Sequence, residues 1–350
     1  MASKGKTFRI FVAGGAGFIG SNFIRYILGK YPRAKILNYD KLTYSGNPDN
    51  LRGVAGDRRY KFVKGDIADA KKLEKAVSDF KPDFLINFAA ETHVDRSIHV
   101  GSKEFINTNV TGVFNMLEAV KKNPGIKKYV QVSTDEVYGS LPLGKKTAFL
   151  EDTPFRPNVP YAATKAGGDL LCRAYANTFK VPVVVTHCSN NYGPYQYPEK
   201  LIPFLILRML EGKTLPIYGN GTNVRDWIYV LDHCRALELC LFKGRAGEVY
   251  NIGADNEMNN LEIAKLILRR FGKDESWMQF VADRPGHDLR YAITASKIKK
   301  ELGWRPTHEF KKHFNKTVDW YLANPGWIDK VRKKTGVFNP HIDLWKAHKK

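Results

Sequence analysis

Short apolar runs alternate with stretches of helical periodicity through the first half of the chain. Phe8–Ala13, Lys35–Tyr39, Tyr60–Val63, Phe84–Phe88, Tyr129–Val132 and Val183–Cys188 read as strands. Gly17–Leu28, Ala70–Phe80, Glu104–Val120 and Tyr161–Phe179 lie between them and read as helices. This alternation predicts an α/β fold, a doubly wound parallel sheet with helices on both faces. Ligands on such sheets sit at the carboxyl ends of the strands. The second half is richer in Pro and Gly, with a turn-rich stretch at Asn190–Lys200 and a helical pattern at Leu261–Phe271. Lys330–Lys350 is basic and weakly patterned, either a docking tail or a frayed end.

Composition adds bounds. With 350 residues, 43% of them hydrophobic, the chain can bury a real core as one large domain or two modest ones. Its longest apolar runs, Phe84–Ala90 and Val181–Thr186, are strand-length and too short to span a membrane. Met1–Thr7 is basic and enters a strand directly, without the apolar core of a secretory signal, so a cytoplasmic location is expected. Four cysteines (Cys172, Cys188, Cys234, Cys240) show no metal-ligand spacing; buried thiols are expected and no metal site. The formal net charge of +21 raises the question of nucleic acid. The lysines come as scattered doublets such as Lys71-Lys72 and Lys145-Lys146, which favours a solvated basic surface. A positive field also suits a doubly charged anionic substrate.

The first strand runs into Gly14-Gly15-Ala16-Gly17-Phe18-Ile19-Gly20, which satisfies GxGxxG and opens a helix. Small residues let the backbone approach a pyrophosphate, and the helix N-terminus offers N–H groups to it. Asp40 falls twenty residues after Gly20, at the end of the second strand. A carboxylate there accepts from the adenosine ribose and repels a 2′-phosphate, so a Rossmann-type fold binding NAD rather than NADP is expected. Asp66-Ile67 and Phe88-Ala89-Ala90 follow the third and fourth strands at the same edge. An Asp suits an adenine amino group, and two small residues admit a cofactor.

Tyr161 and Lys165 form a YxxxK pair, which a helix places on one face. A lysine cation near the phenol favours phenolate, so the tyrosine can take a proton from a sugar hydroxyl. The fifth strand ends in Ser133-Thr134-Asp135-Glu136-Val137-Tyr138-Gly139, a hydroxyl and two carboxylates at the ligand edge. Two carboxylates in one cleft can differ in protonation, one acting as acid and one as base.

These motifs resemble the extended short-chain dehydrogenase/reductase superfamily and, within it, the sugar-nucleotide dehydratases that act on dTDP-glucose. The likeness extends from GGAGFIGS at Gly14–Ser21 through YDKLTYSGN, NFAAETHVDRSI, STDEVYGS, SNNYGPYQYPEKLIP and LPIYGNGTNVRDWIYV to RPGHDLRYAI at Arg284–Ile293. His187 stands where arginine is more usual, Thr92 where serine is common and Asn220 where Asp is frequent.

The resemblance implies a homodimer with NAD as cofactor, dTDP-glucose as substrate and UDP-glucose as the alternative. A 4-epimerase or decarboxylase on the same scaffold is the rival, against which the Asp135-Glu136 pair argues. The implied chemistry is oxidation at C4, loss of water across C5 and C6, and hydride return to C6, giving a 4-keto-6-deoxy sugar. Tyr161 takes the C4 hydroxyl proton, Thr134 bonds that hydroxyl and Lys165 holds the nicotinamide ribose. Glu136 takes the C5 proton and Asp135 protonates the leaving hydroxyl. Gly14, Gly17, Phe18, Ile19, Gly20, Asp40, Lys41, Leu42, Thr43, Asp66, Ile67, Phe88, Ala89, Ala90, Thr92, Thr108 and Asn191, with Tyr161 and Lys165, are implied at NAD. Thr92, Thr134, Asn190, Lys200, Leu201, Pro216, Ile217, Tyr218, Arg225, Asn260, Arg284 and His287 are implied at the substrate, Tyr218 against the base. The implied organisation is a cofactor domain over 1–189 with roughly 225–250 returning to it. A smaller C-terminal α/β substrate-binding domain takes 190–224 and 251–330, and 331–350 is a basic tail.

Overall fold

The computed structural model describes residues 7–335. Its strands in chain order are β1 (Phe8–Ala13), β2 (Ala34–Asp40), β3 (Tyr60–Lys64), β4 (Phe84–Asn87), β5 (Lys128–Thr134), β6 (Val183–Cys188), β7 (Asn190–Tyr192), β8 (Leu215–Tyr218), β9 (Val224–Tyr229), β10 (Val249–Ile252), β11 (Glu257–Asn259) and β12 (Met278–Val281). The helices are α1 (Phe18–Lys30), α2 (Ala70–Phe80), α3 (Val94–His99), α4 (Lys103–Ile106), α5 (Val113–Lys122), α6 (Pro160–Phe179), α7 (Leu201–Leu210), α8 (Val230–Lys243), α9 (Asn260–Arg270), α10 (Ser296–Leu302), α11 (Phe310–Ala323) and α12 (Pro325–Thr335).

Seven parallel strands form the main sheet in the order β10-β6-β5-β4-β1-β2-β3. β1, β4, β5 and β6 are buried on both faces, as a sheet covered by helices on each side requires. From β1 the chain runs outward through β2 and β3, then crosses back to β4. The order therefore reverses between β1 and β4, and the crevice at their carboxyl ends is where such a sheet takes a ligand. The second half adds a three-stranded sheet, β11-β9-β7, and the pair β12-β8. α7, α9, α11 and α12 share one apolar core with these strands, while α8 and α10 pack into the core of the main sheet.

The predicted strands lie within a residue or two of those observed. β10 was not among them; it is four residues long and joins the sheet only by pairing with β6. The helix expected over Glu104–Val120 is interrupted by a π-helical stretch, Asn107–Gly112. Gly112 faces Ile67 so closely that a Cβ would stand 2.5 Å from Ile67 Cδ1. That approach and the Asn109 side chain, bonded to the Glu91 backbone and to Thr164, aim the stretch at the crevice. Lys330–Lys350 is neither frayed nor patternless at its start, since α12 runs through Thr335 with Trp327, Ile328 and Val331 buried. Residues 336–350, and Met1–Lys6 of the basic N-terminus, lie outside the described residues. All four cysteines are free and buried. Among the described residues no helix is long and apolar enough to cross a membrane, and no His/Cys/Asp/Glu group can hold a metal ion.

Candidate active site

Three adjoining hollows follow the carboxyl edge of the main sheet as far as β8 and β9. The first is lined by Gly14, Gly17, Asp40, Lys41, Thr43, Asp66, Ile67, Phe88, Ala89, Ala90 and Thr108. The second, about 240 Å³, collects Phe18, Ile19, Gly20, Thr92, Thr134, Asp135, Glu136, Tyr161, Lys165, Asn190, Asn191 and Lys200. The third, about 170 Å³, is lined by Leu201, Pro216, Ile217, Tyr218, Arg225, Asn260, Arg284 and His287, and again by Glu136, Asn190 and Lys200. Every residue expected at the cofactor or substrate thus reaches this crevice except Leu42. That residue lines none of the three hollows and contributes its backbone, whose N–H donates to Asp40 Oδ1 at 2.8 Å.

The glycine loop is built for a diphosphate. A Cβ on Gly14 would lie 2.4 Å from Ala89 N, and one on Gly20 would lie 2.5 Å from Gly14 O, so loop, helix and β4 edge touch. A Cβ on Gly17 would meet only Gly14 O, at 3.4 Å, which leaves that side open to a ligand. α1 begins at Phe18 with no capping side chain and no acid in its first turn, so its N–H groups are left for an anion. Asp40 is buried, and its two oxygens accept from Ala16 N at 2.9 Å and Leu42 N at 2.8 Å. Burial raises its pKa while these bonds lower it. A carboxylate has lone pairs beyond those two, so ribose hydroxyls can still be accepted. Glycine geometry, free helix N–H groups and a fixed carboxylate fit a dinucleotide.

At the centre, α6 presents Tyr161 and Lys165 one turn apart, both buried. The Thr134 hydroxyl lies near the Tyr161 phenol and favours its ionised form. Lys165 Nζ donates to Val132 O at 2.8 Å. Burial pushes the Tyr161 phenol well above its ordinary range and pushes the Lys165 ammonium down. The lysine-lowered phenol expected from the spacing is therefore corrected: burial dominates, and Glu136 adds to the rise.

Asp135 and Glu136 follow β5 in a single 3₁₀ turn whose N-cap, Thr134, accepts from Glu136 N at 3.3 Å. Asp135 Oδ2 and Glu136 Oε2 are buried without a hydrogen-bond partner among the described residues. The two acids have unlike neighbours. Burial and then Glu136 raise Asp135 well above the carboxylate range. Burial raises Glu136 too, but Arg284, Arg225 and Lys200 pull it back. Asp135 is the better proton holder and Glu136 the better base.

In the third hollow Arg225 lies over the Tyr291 ring at 4.2 Å and donates to Val224 O and Asp288 O. Arg284 pairs with Asp95 at 3.6 Å. His287 bonds Asp283 at 2.6 Å and is pushed down by burial, Arg284 and Arg225. The motif reading passed over Glu199, which lines both the second and third hollows. Its carboxyl is buried, accepts from Tyr44 OH at 3.0 Å, stands 3.5 Å from His93 Nε2, and is pushed up to about 7 by burial. Its signal was adjacency to Lys200 in the same motif. His187 lies outside this crevice: it bonds Asp169 at 3.2 Å and Tyr138 at 2.6 Å behind α6.

Residues 11–317 match the family profile described as GDP-mannose 4,6 dehydratase. A dTDP-glucose 4,6-dehydratase of Xanthomonas campestris pv. campestris is 48% identical over 91% of this chain and 95% of its own length. A Bacillus anthracis dTDP-glucose 4,6-dehydratase solved in complex with NAD is 49% identical, covering 93% of this chain and 100% of that one, with a TM-score of 0.87. A Streptomyces venezuelae dTDP-glucose 4,6-dehydratase with NAD and TYD bound is 48% identical over 91% of this chain and 98% of that one, with a TM-score of 0.87. With its glycine loop, its Tyr161–Lys165 pair and its two unlike acids set in one crevice, the chain belongs to the dTDP-glucose 4,6-dehydratase family of sugar-nucleotide dehydratases.

Proposed function

We propose that this chain is an NAD-dependent hydro-lyase that converts dTDP-glucose to dTDP-4-keto-6-deoxyglucose. When bound, NAD supplies the hydride acceptor at C4 and the donor at C6, so the net reaction is redox-neutral. The Gly14–Gly20 loop and the α1 N-terminus hold its diphosphate, Asp40 its adenosine ribose, Asp66 and Ile67 its adenine, and Lys165 the nicotinamide ribose. Tyr161 removes the C4 hydroxyl proton, and Thr134 hydrogen-bonds that hydroxyl. Glu136 removes the C5 proton and later returns one to C5, and Asp135 delivers its own to the C6 hydroxyl, which leaves as water. Lys200, Arg225 and Arg284 offset the substrate diphosphate, and Tyr218 stacks on the base.

The observation that carries this reading is the asymmetry of Asp135 and Glu136: adjacent, buried, each with an oxygen left unpaired among the described residues, but with Arg284, Arg225 and Lys200 favouring the ionised form of Glu136 while Glu136 itself opposes that of Asp135. An epimerase needs no acid at C6. We further propose a cytoplasmic homodimer, with a cofactor unit over 1–189 and 225–250 and a substrate unit over the rest to 330. Exposed Ile106, Phe114, Leu170 and Phe179, on or beside α4, α5 and α6, support pairing through those helices. Incubation with dTDP-glucose and UDP-glucose, read by product mass, tests the activity. Loss of one water from the dTDP sugar, without net accumulation of NADH, is expected. A product of unchanged mass with inverted C4 sinks the dehydratase reading.

A further inference from the structure

The basic C-terminal stretch opens with a helix that is tied to the cofactor loop. Lys334 Nζ donates to the carbonyls of Thr43 and Gly46, both at 2.6 Å. Lys330 pairs with Asp49 at 2.9 Å. Trp327 Nε1 donates to Asn50 Oδ1 at 2.8 Å, and Asn50 Nδ2 donates on to Ala16 O, inside the glycine loop, at 3.0 Å. α12 is also anchored from behind, because Trp327, Ile328 and Val331 are buried in the core of the second unit.

The segment it grips is one that needs holding. Leu42 sits at a φ of 58°, a left-handed conformation that leucine adopts only under constraint. A Cβ on Gly46 would come within 3.0 Å of Asp40 Oδ1 and of Leu42 Cα, so the loop is folded tightly over the ribose-binding carboxylate. Asp40 pins it from inside through Leu42 N. Lys334 pins it from outside, through the Gly46 carbonyl and the Thr43 carbonyl, which also accepts from Gly46 N within the loop. The dehydration returns its hydride, so the cofactor has no need to leave between turnovers, and a closure that slows its release does not slow the cycle.

We propose that α12 is a cofactor strap: through Lys334 and Trp327 it fixes the Thr43–Asn50 segment over the adenosine end of the crevice and retards the release of NAD. The inference rests on NAD as the cofactor. The full-length parent and the variants Lys334→Ala, Trp327→Phe and the double variant test it. Their NAD release is followed after dilution, by quantifying protein-bound nucleotide with time, and the melting temperature of each NAD-free protein is measured alongside. Each single variant is expected to release NAD several-fold faster and the double variant about tenfold faster, since such differences appear mainly in dissociation rates. Melting of the NAD-free Lys334→Ala protein is expected to match the parent, whereas the Trp327→Phe proteins, which lose buried volume, melt lower; Lys334→Arg, which keeps the cation, is expected to release NAD at the parental rate. Parental release from both single variants overturns the strap, as does faster release from Lys334→Ala that appears only with a lowered melting temperature. A parent that neither carries nor takes up NAD would instead sink the cofactor reading.

Discussion

Two sets of acids lie at the carboxyl edge of the same sheet and are treated in opposite ways. Asp40, at the end of β2, has a backbone N–H on each oxygen. Asp135 and Glu136, after β5, each keep one buried oxygen with no partner among the described residues. Burial raises the pKa of all three. At Asp40 the two N–H bonds and the nearby Lys334 push back, which stabilises a charged, immobile acceptor suited to binding. A buried acceptor left unpaired costs about 1–3 kcal/mol. Such a cost is tolerated where a proton must come and go, which supports the proposed division: the unpaired pair for chemistry and the paired acid for grip.

The strongest way to break this contrast is to remove one catalytic charge while keeping its shape. Glu136→Gln is expected to lower turnover by about 10²–10⁴-fold, the usual worth of a positioned acid or base. Exchange of the C5 proton with deuterated solvent should fall in parallel, and calorimetric affinity for the dTDP nucleotide should stay near the parent's. Asp135→Asn should also stop water loss yet leave C5 exchange largely intact. If both variants lose C5 exchange equally, the two acids are not divided as acid and base. The same change at the paired acid has a smaller and different consequence. Asp40→Asn should weaken NAD binding by about tenfold, the scale of a lost charge-assisted bond, and should narrow the preference for NAD over NADP. Turnover at saturating NAD should stay close to parental; a large fall there would place Asp40 in the chemistry.

What the sequence disclosed follows the same division between local and distant contacts. The Gly14–Gly20 loop is strand, turn and helix in one uninterrupted run, and Asp40 ends the next strand, so the adenosine end was legible. Thr134–Glu136 was legible because a strand end fixes which edge its next residues occupy. The direction of the Tyr161 shift was not, because helical spacing reports that Lys165 is near but not how deeply the phenol is buried. Contacts such as Lys334 with Thr43 and Arg284 with Asp95 join residues that no local pattern connects. The π-helical stretch at Asn107–Gly112 escaped for a related reason: one extra residue per turn leaves an apolar periodicity almost unchanged while redirecting a side chain.

Glu199 tests the contrast most finely, because it lies between the two kinds. It accepts from Tyr44, as a binding carboxylate does, yet burial holds it near 7, as for a catalytic one. Its folded pKa is raised above the ordinary 4.5, so the proton is bound more tightly in the folded chain. Its contribution to stability is therefore fully present below about pH 4.5 and is lost as pH rises through about 7. Glu199→Gln, which cannot ionise, should melt higher than the parent at pH 8, by about 2 °C, and close to it at pH 5. Ionisation also places a negative charge beside Lys200, where the substrate diphosphate is expected, so the parent KM should rise between pH 6 and pH 8 while that of Glu199→Gln stays flat. A parental rise of KM in the variant would assign that titration to another group and return Glu199 to a purely structural bond with Tyr44.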